Sequence, residues 1–320
     1  MNADVLGIDH EQEAERISEW LRDSVVRRLR RRGVVVAISG GIDSSVCAGL
    51  AVRALGPGRV FGLLMPERDS SRSSTSLAGE LAAALGIATA TEDITATLEA
   101  IGCYRWRDDA IRTLFPDYGA GWANKIAIAG GLEGQFNHFK LVVRSPEGEM
   151  LEERLPHKAY LQIVAAQNFK QRIRKTLEYF HADRLNYAVV GTPNLLEYDQ
   201  GFFVKNGDGS ADLKPIAHLH KTQVYAMARH LGLPENICAT IPTTDTYSLP
   251  QGQDEFYFAL PYDKMDLALW AHGHGIAAAE LAGMLGVSPE TAQAVYRDIA
   301  SKRATAEILH APPLVMSKPA

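Results

Sequence analysis

Three charged side chains and one glycine turn are the residues here whose types and spacing could do chemistry. Ser39-Gly40-Gly41-Ile42-Asp43-Ser44-Ser45 follows an apolar, mostly β-branched run at 34–38. The glycines permit a tight turn and let a ligand approach the backbone closely. Asp43, Ser44 and Ser45 then suit the start of a helix through 46–51. Strand, glycine turn and helix start would converge backbone N–H groups and a positive helix end on one anion. A second carboxylate, Glu197, closes Gly191-Thr192-Pro193-Asn194-Leu195-Leu196-Glu197, a polar turn after the apolar run at 187–190. Two strand-end carboxylates beside phosphate oxygens are a hard-oxygen donor set for Mg²⁺, although either alone would more often be a cap or surface group. Lys221 opens the helical segment 221–232, where a cation opposes the helix dipole. A bound anion explains that placement better than helix stability does, a solvated lysine being the plainer alternative.

The elements that must position these groups follow from periodicity. The run 34–38 fits a fully buried central strand, and 60–64, 87–90 and 187–190 supply three more. An amphipathic helix is expected over 11–32, with Ile17, Trp20, Leu21, Val25 and Leu29 at helical spacing. A helix rich in Ala and Leu should end at Leu85-Gly86, and a long one should run from 159 to 180. Strands alternating with helices imply a doubly wound parallel α/β sheet. In that architecture ligands lie beyond the carboxyl ends of the strands, where the turn at 39–45 would sit. The glycine turn is not a Walker A loop, since no Gly-Lys-Ser/Thr follows it, nor is it G-x-G-x-x-G.

Composition narrows the class. With 33 basic against 38 acidic residues the net charge is −5, so no global basic field argues for nucleic acid or an anionic membrane. Cys47, Cys103 and Cys238 are far apart and form no C-x-x-C, which disfavours a disulfide framework or a zinc knuckle. The N-terminus is polar, and no stretch is long and apolar enough to span a bilayer, so a soluble cytoplasmic protein is expected. The cationic cluster at 27–32 reads as a solvated helix end rather than a nucleic-acid patch.

Two segments resist a chemical reading. Residues 102–158 carry two glycine-rich patches and an expected hairpin, 139–143 with 150–155, the simplest role being an insert or arm covering a neighbour. Residues 276–296 imitate a DNA-binding helix-turn-helix. The second helix of that pair carries one arginine, Arg297, and two acidic residues, too few cations for a phosphate-binding surface, so packing is the stronger reading.

The glycine turn resembles the S-G-G-x-D-S signature of the PP-loop ATP pyrophosphatases, which cleave ATP between the α and β phosphates. Taken together, SGGIDSS at 39–45, N-x-x-x-R-x-R at 168–174, GTPNLLE at 191–197, KNGDGSAD at 205–212, KTQV at 221–224, PT at 242–243, DE at 254–255 and the closing Lys302-Arg303 resemble the ammonia-dependent NAD synthetase family. The resemblance implies an adenine nucleotide alpha hydrolase-like fold, with an ATP-binding domain at 1–260 and a helical extension at 261–320 packed on it. It implies that Ser39, Gly40, Gly41, Asp43, Ser44 and Ser45 hold the ATP phosphates, with Asp43 and Glu197 on Mg²⁺. Thr192 would lie beside ATP, Lys221 and Thr243 would bind pyrophosphate, and Arg172 would serve the nucleotide. Lys205, Asp208, Asp254, Lys302 and Arg303 would address the acyl substrate, Asp208 and Asp254 also the ammonia. Amidation of nicotinic acid adenine dinucleotide through an acyl adenylate is the implied reaction, in a homodimer, with ammonia arriving free or from a separate glutaminase. Departures fall in the acyl half: residues 102–158 are longer than the family's connection, and T-K-Y-G-D reads Val204-Lys205-Asn206-Gly207-Asp208. A related amide ligase acting on another carboxylic acid is therefore the alternative reading, and a DNA-binding protein the remoter one.

Overall fold

The computed structural model describes residues 3–129, 138–240, 247–249, 252, 257 and 260–316. Its centre is a four-stranded parallel sheet made of β1 (Val34–Ala37), β2 (Val60–Leu64), β3 (Ala88–Thr91) and β7 (Ala188–Val190), in the order β3-β2-β1-β7. β1 is central because both of its edges are paired, Val34 lying opposite Val60 on one side and Ala188 on the other. Its side chains alternate between two cores, as strand geometry requires. Val34 and Val36 join a cluster built with α1 (His10–Asp23), α2 (Ile42–Leu55), α3 (Arg72–Leu85), α8 (Lys221–His230) and α9 (Glu235–Cys238). Val35 faces the other way, into a cluster with α4 (Thr95–Ile101), α5 (Cys103–Arg112) and α6 (His157–Leu185). Both faces of the sheet are thus covered over β1, β2 and β7, which is why these strands read as continuous apolar runs, whereas the edge strand β3 is mostly exposed.

The helix expected over 11–32 stops earlier. α1 ends at Asp23 and passes into a π-helical turn, Ser24–Arg28, after which Arg30 takes φ 54°. Past the helix the chain is held by the C-terminal cap of α6: Arg31 donates to the Asn186 side chain at 2.7 Å and the Arg32 amide to the Asn186 carbonyl at 2.9 Å. This end feeds β1 directly.

The expected hairpin is real but incomplete. β5 (His138–Arg144) and β6 (Met150–Arg154) pair antiparallel, and β4 (Ala123–Ala129) adds a third strand on the other side of β5. β4 was illegible because its sequence, ANKIAIA, offers small residues and a lysine in place of a strong apolar alternation. Ile126, Leu141 and Val143 pack this small sheet against Ala110 and Ile111 of α5 and Ile163 of α6.

The last helices, α10 (Tyr262–Gly273), α11 (Ala278–Leu285) and α12 (Pro289–His310), enclose their own cluster. That cluster draws in Leu196 from α7 (Leu195–Gln200). Ala292, Val295 and Ile299, on the helix that imitated a recognition helix, are spent on this packing. Among the described residues no helix is long and apolar enough to cross a membrane.

Candidate active site

The turn after β1 is a backbone cradle closed by serine hydroxyls. Gly40 sits at φ 82°, and a Cβ there would run into the Ser74 carbonyl oxygen, so this position admits glycine alone without strain. The Gly41 amide donates to Ser39 Oγ at 3.2 Å, while Ser44 and Ser45 hydroxyls donate to the Gly41 carbonyl at 3.0 and 2.8 Å. The α2 helix starts at Ile42 with Asp43 in its first turn. Ser39, Gly41, Asp43 and Ser44 line a cavity of about 630 Å³; Ser45 is fully buried behind them.

Asp43 and Lys221 form a part-buried ion pair, the fully buried Lys221 ammonium donating to Asp43 Oδ2. The anion inferred opposite this first-turn lysine is thus, in the structure, a side chain of the chain itself. Burial works against the ammonium, yet Asp43 and Glu197 together hold its pKa above the ordinary lysine value. Asn194 ties the two carboxylates together. Its side-chain nitrogen donates to Asp43 Oδ1 at 3.1 Å, and its backbone N–H donates to Glu197 Oε2 at 3.3 Å. Burial, then the nearby Asp43 carboxylate, push the Glu197 carboxyl up to about 8. Two acidic groups around one lysine leave the cluster short of positive charge.

Asp266, which carried no sequence signal, explains how a lysine can open α8. It is fully buried on α10 and accepts from the Lys221 and Thr222 backbone amides at 3.2 and 2.8 Å. A carboxylate on the helix N-terminus satisfies otherwise orphaned donors and offsets the dipole that the cation opposes.

One face of α6 floors the cavity, through Tyr160, Val164, Gln167, Gln171, Arg174 and Glu178. Spacings of three and four residues keep these side chains on one side over about 27 Å of helix. The sequence reading missed Lys175 and Glu178, whose buried pair at 2.6 Å also lines the cavity. Burial raises the Glu178 carboxyl, and the same loss of hydration raises that of Asp208, which lines the wall nearby. Asp208 Oδ1 accepts from the Val204 amide at 2.7 Å, which fixes its loop. Phe139 of β5 stacks on Tyr160 at 4.4 Å and 15°, so the small sheet contributes a wall of the site. A short i, i+3 Lys-Glu spacing on a helix was the available signal for Lys175 and Glu178; nothing local marked Phe139.

Of the other residues singled out from sequence, Thr192 and Glu197 line the cavity. Arg172 is exposed and donates to the Lys205 carbonyl at 3.2 Å, while its neighbour Arg174 lines the wall. Lys205 reaches the Ile308 and Ala311 carbonyls at 2.6 and 2.9 Å. Lys302 is bound to Asp298 and to the Tyr257 carbonyl, both at 2.6 Å, and Arg303 to Asp199 at 2.8 Å. The structure does not bring these last three into the cavity wall. Thr243 and Asp254 lie outside the described residues.

A parallel sheet whose central strand ends in this serine-closed glycine cradle, beside a part-buried Asp–Lys pair, defines an α/β nucleotide-binding protein of the PP-loop class. A sequence model described as NAD synthase matches residues 13–112 and 136–305. The NH(3)-dependent NAD(+) synthetase of Rhizobium meliloti (strain 1021) is 56% identical over 313 residues, spanning 98% of this chain and 93% of that protein. The protein of the same description from Thermotoga neapolitana (strain ATCC 49049 / DSM 4359 / NBRC 107923 / NS-E) is 36% identical over 257 residues, 80% of this chain and 82% of its own. Among solved structures, NMN synthetase from Francisella tularensis aligns at TM-score 0.66 and 22% identity, over 98% of this chain and 100% of that one. The NH3-dependent NAD synthetase from Campylobacter jejuni subsp. jejuni NCTC 11168 aligns at TM-score 0.64 and 22% identity, covering 97% and 100%. These two likenesses concern the fold. The chain belongs to the NAD synthase family, ATP-dependent carbon–nitrogen ligases. The stretch that the family match passes over, 113–135, contains β4 and its approach.

Proposed function

We propose that this chain adenylates nicotinic acid adenine dinucleotide at its carboxylate and aminates the product with ammonia to give NAD, with Asp43, Glu197 and Lys221 at the centre of the chemistry. The observation that carries this assignment of roles is the meeting of Asp43, Lys221 and Glu197 around Asn194 beside the glycine cradle, where Asp43 and Glu197 line the cavity and Lys221 and Asn194 are buried behind them. In the first step a substrate carboxylate oxygen attacks the α-phosphorus and the bond to the leaving pyrophosphate breaks. In the second, ammonia attacks the acyl carbon, loses a proton, and AMP departs. The protein supplies position and charge: the amides and hydroxyls at 39–45 orient the polyphosphate, and Lys221 meets the negative charge that develops on pyrophosphate. Lys175, Glu178 and Asp208 address the acyl and ammonia end. Glu178 or Asp208 is suited to accept the proton that ammonia loses, since burial holds both carboxyls above the usual range.

The donor set fits a divalent cation. Asp43 and Glu197 offer hard oxygen ligands, their mutual repulsion is what a cation relieves, and Mg²⁺ commonly takes one or two carboxylates with phosphate oxygens completing its shell. When bound, Mg²⁺ would neutralise phosphate charge.

A homodimer belongs to the same proposal, supported by the exposed Ile101, Trp106, Leu161 and Phe180 on α4, α5 and α6. So does the reading of 261–320 as an extension of the nucleotide-binding body, supported by the packing that α10–α12 share with Leu196. Incubation with ATP, Mg²⁺, ammonium and the dinucleotide should release AMP and NAD in equal amounts. AMP release only with some other carboxylic acid would select an amide ligase of different substrate.

A further inference from the structure

Gln167 is a buried polar group in the cavity wall that the chemistry above leaves unused. It is 6% exposed; its amide nitrogen and carbonyl oxygen are both shut off from water, and among the described residues neither has a hydrogen-bond partner. Buried carboxamides are seldom left in that state, because both groups lose water and gain nothing. The same cavity is lined by Met65, Ala78, Phe139, Tyr160, Val164 and Tyr247, apolar and aromatic surfaces suited to a flat ring. Its phosphate-binding elements, Ser39 and Ser44, belong to the cradle.

We propose that Gln167 reads the edge of an adenine base, its NH₂ donating to a ring nitrogen and its carbonyl accepting from the exocyclic amine. The argument is one of matching. A carboxylate or phosphate only accepts, and would set its charge against the glutamine oxygen. A pyridine ring offers no edge donor, so the carbonyl would stay unsatisfied. Adenine presents a donor and an acceptor side by side, the pattern a carboxamide meets with two parallel bonds. ATP and the dinucleotide both carry that base, and the inference rests on reading this cavity as their site.

The test is equilibrium binding by calorimetry to the wild type and to Gln167→Met, an unbranched replacement, with Gln167→Leu as a second variant. Four probes are used: ATP, purine riboside triphosphate (which lacks the exocyclic amine), nicotinic acid adenine dinucleotide, and its purine counterpart. The wild type should prefer the adenine form of at least one pair. The variants should bind that adenine ligand roughly ten- to a hundredfold more weakly and lose the preference. The pair in which this occurs assigns the base to ATP or to the dinucleotide. Thermal stability should hold or rise, because an apolar chain replaces two unsatisfied groups. Wild-type affinity and preference in both variants would overturn the proposal, and so would weaker binding accompanied by a lower Tm, the mark of a structural glutamine. If the wild type binds neither ATP nor the dinucleotide, the functional assignment itself fails and this one with it.

Discussion

At its phosphate end the cavity is made by consecutive residues, 39–45, so that one strand, one turn and one helix start define its shape. At its aromatic end Phe139, the α6 pair Tyr160 and Gln167, and Tyr247 come from three separate stretches, brought together when a three-stranded sheet docks on α6. The first end is local geometry and tolerates nothing but its own backbone, as Gly40 shows. The second is packing, where side chains can be exchanged if the surface is kept. Substrate-specific change is therefore expected to concentrate at the second end.

The sharpest way to break this contrast is at the ion pair. Lys221→Met should lower kcat/KM by about a hundredfold to a thousandfold or more, as for loss of a preorganised charge in the transition state. It should also cost on the order of 3–5 kcal/mol in urea unfolding, because the Asp43 carboxylate loses its cation. A functional Lys221→Met enzyme would remove the phosphate end from the mechanism. Next in size is the pH response of the ligand-free protein. Glu197 keeps its proton when folded up to about pH 8, well above its ordinary 4.5. The stability it contributes is therefore full below pH 4.5 and lost as pH rises through about 8. Tm should fall across that window, Glu197→Gln should flatten the fall, and Mg²⁺ with ATP should stabilise more at pH 8 than at pH 6.

Gly40→Ala comes third: a positive φ and the Ser74 carbonyl oppose the added methyl, so unfolding free energy should drop by roughly 1–3 kcal/mol, with a higher KM for ATP. At the other end, Glu178→Gln should slow amination about tenfold or more while leaving ATP-dependent adenylation, read by pyrophosphate exchange, near wild type. The smallest effect is expected for Arg172→Ala, since that side chain is exposed and bound to the Lys205 carbonyl; steady-state constants should change by less than about threefold. A large loss there would show that the nucleotide surface extends beyond the cavity described.

How much of this was legible followed the same division. Val34, Val35 and Val36 announce a strand buried on both faces, and the residues after them announce the turn, because each signal lies within a few positions of the next. Asp43, Glu197 and Lys221 could be named from their places at strand and helix ends. Asp266 could not, since its partners are the amides at 221 and 222, and a lone buried aspartate in an apolar helix carries no mark of what it faces. β4 was hidden for a related reason: small residues make a strand only when a neighbouring strand and a helix are there to receive it, and Phe139, though read as a strand residue, gave no sign that it would stack on Tyr160 of α6. Lys302 and Arg303 show the opposite case. Their charges were visible, but Asp298, the Tyr257 carbonyl and Asp199 occupy them, away from the cavity wall.

Lys205 fastens the loop that bears Asp208 to the carbonyls of Ile308 and Ala311, at the close of α12. The tail of the chain thereby acts as a latch on a region more than a hundred positions upstream. Proteolytic trimming just ahead of Ile308 would spare the nucleotide cradle entirely and still set that acidic loop adrift. Damage at the far terminus would then surface as sluggish amination in an enzyme that charges its substrate normally.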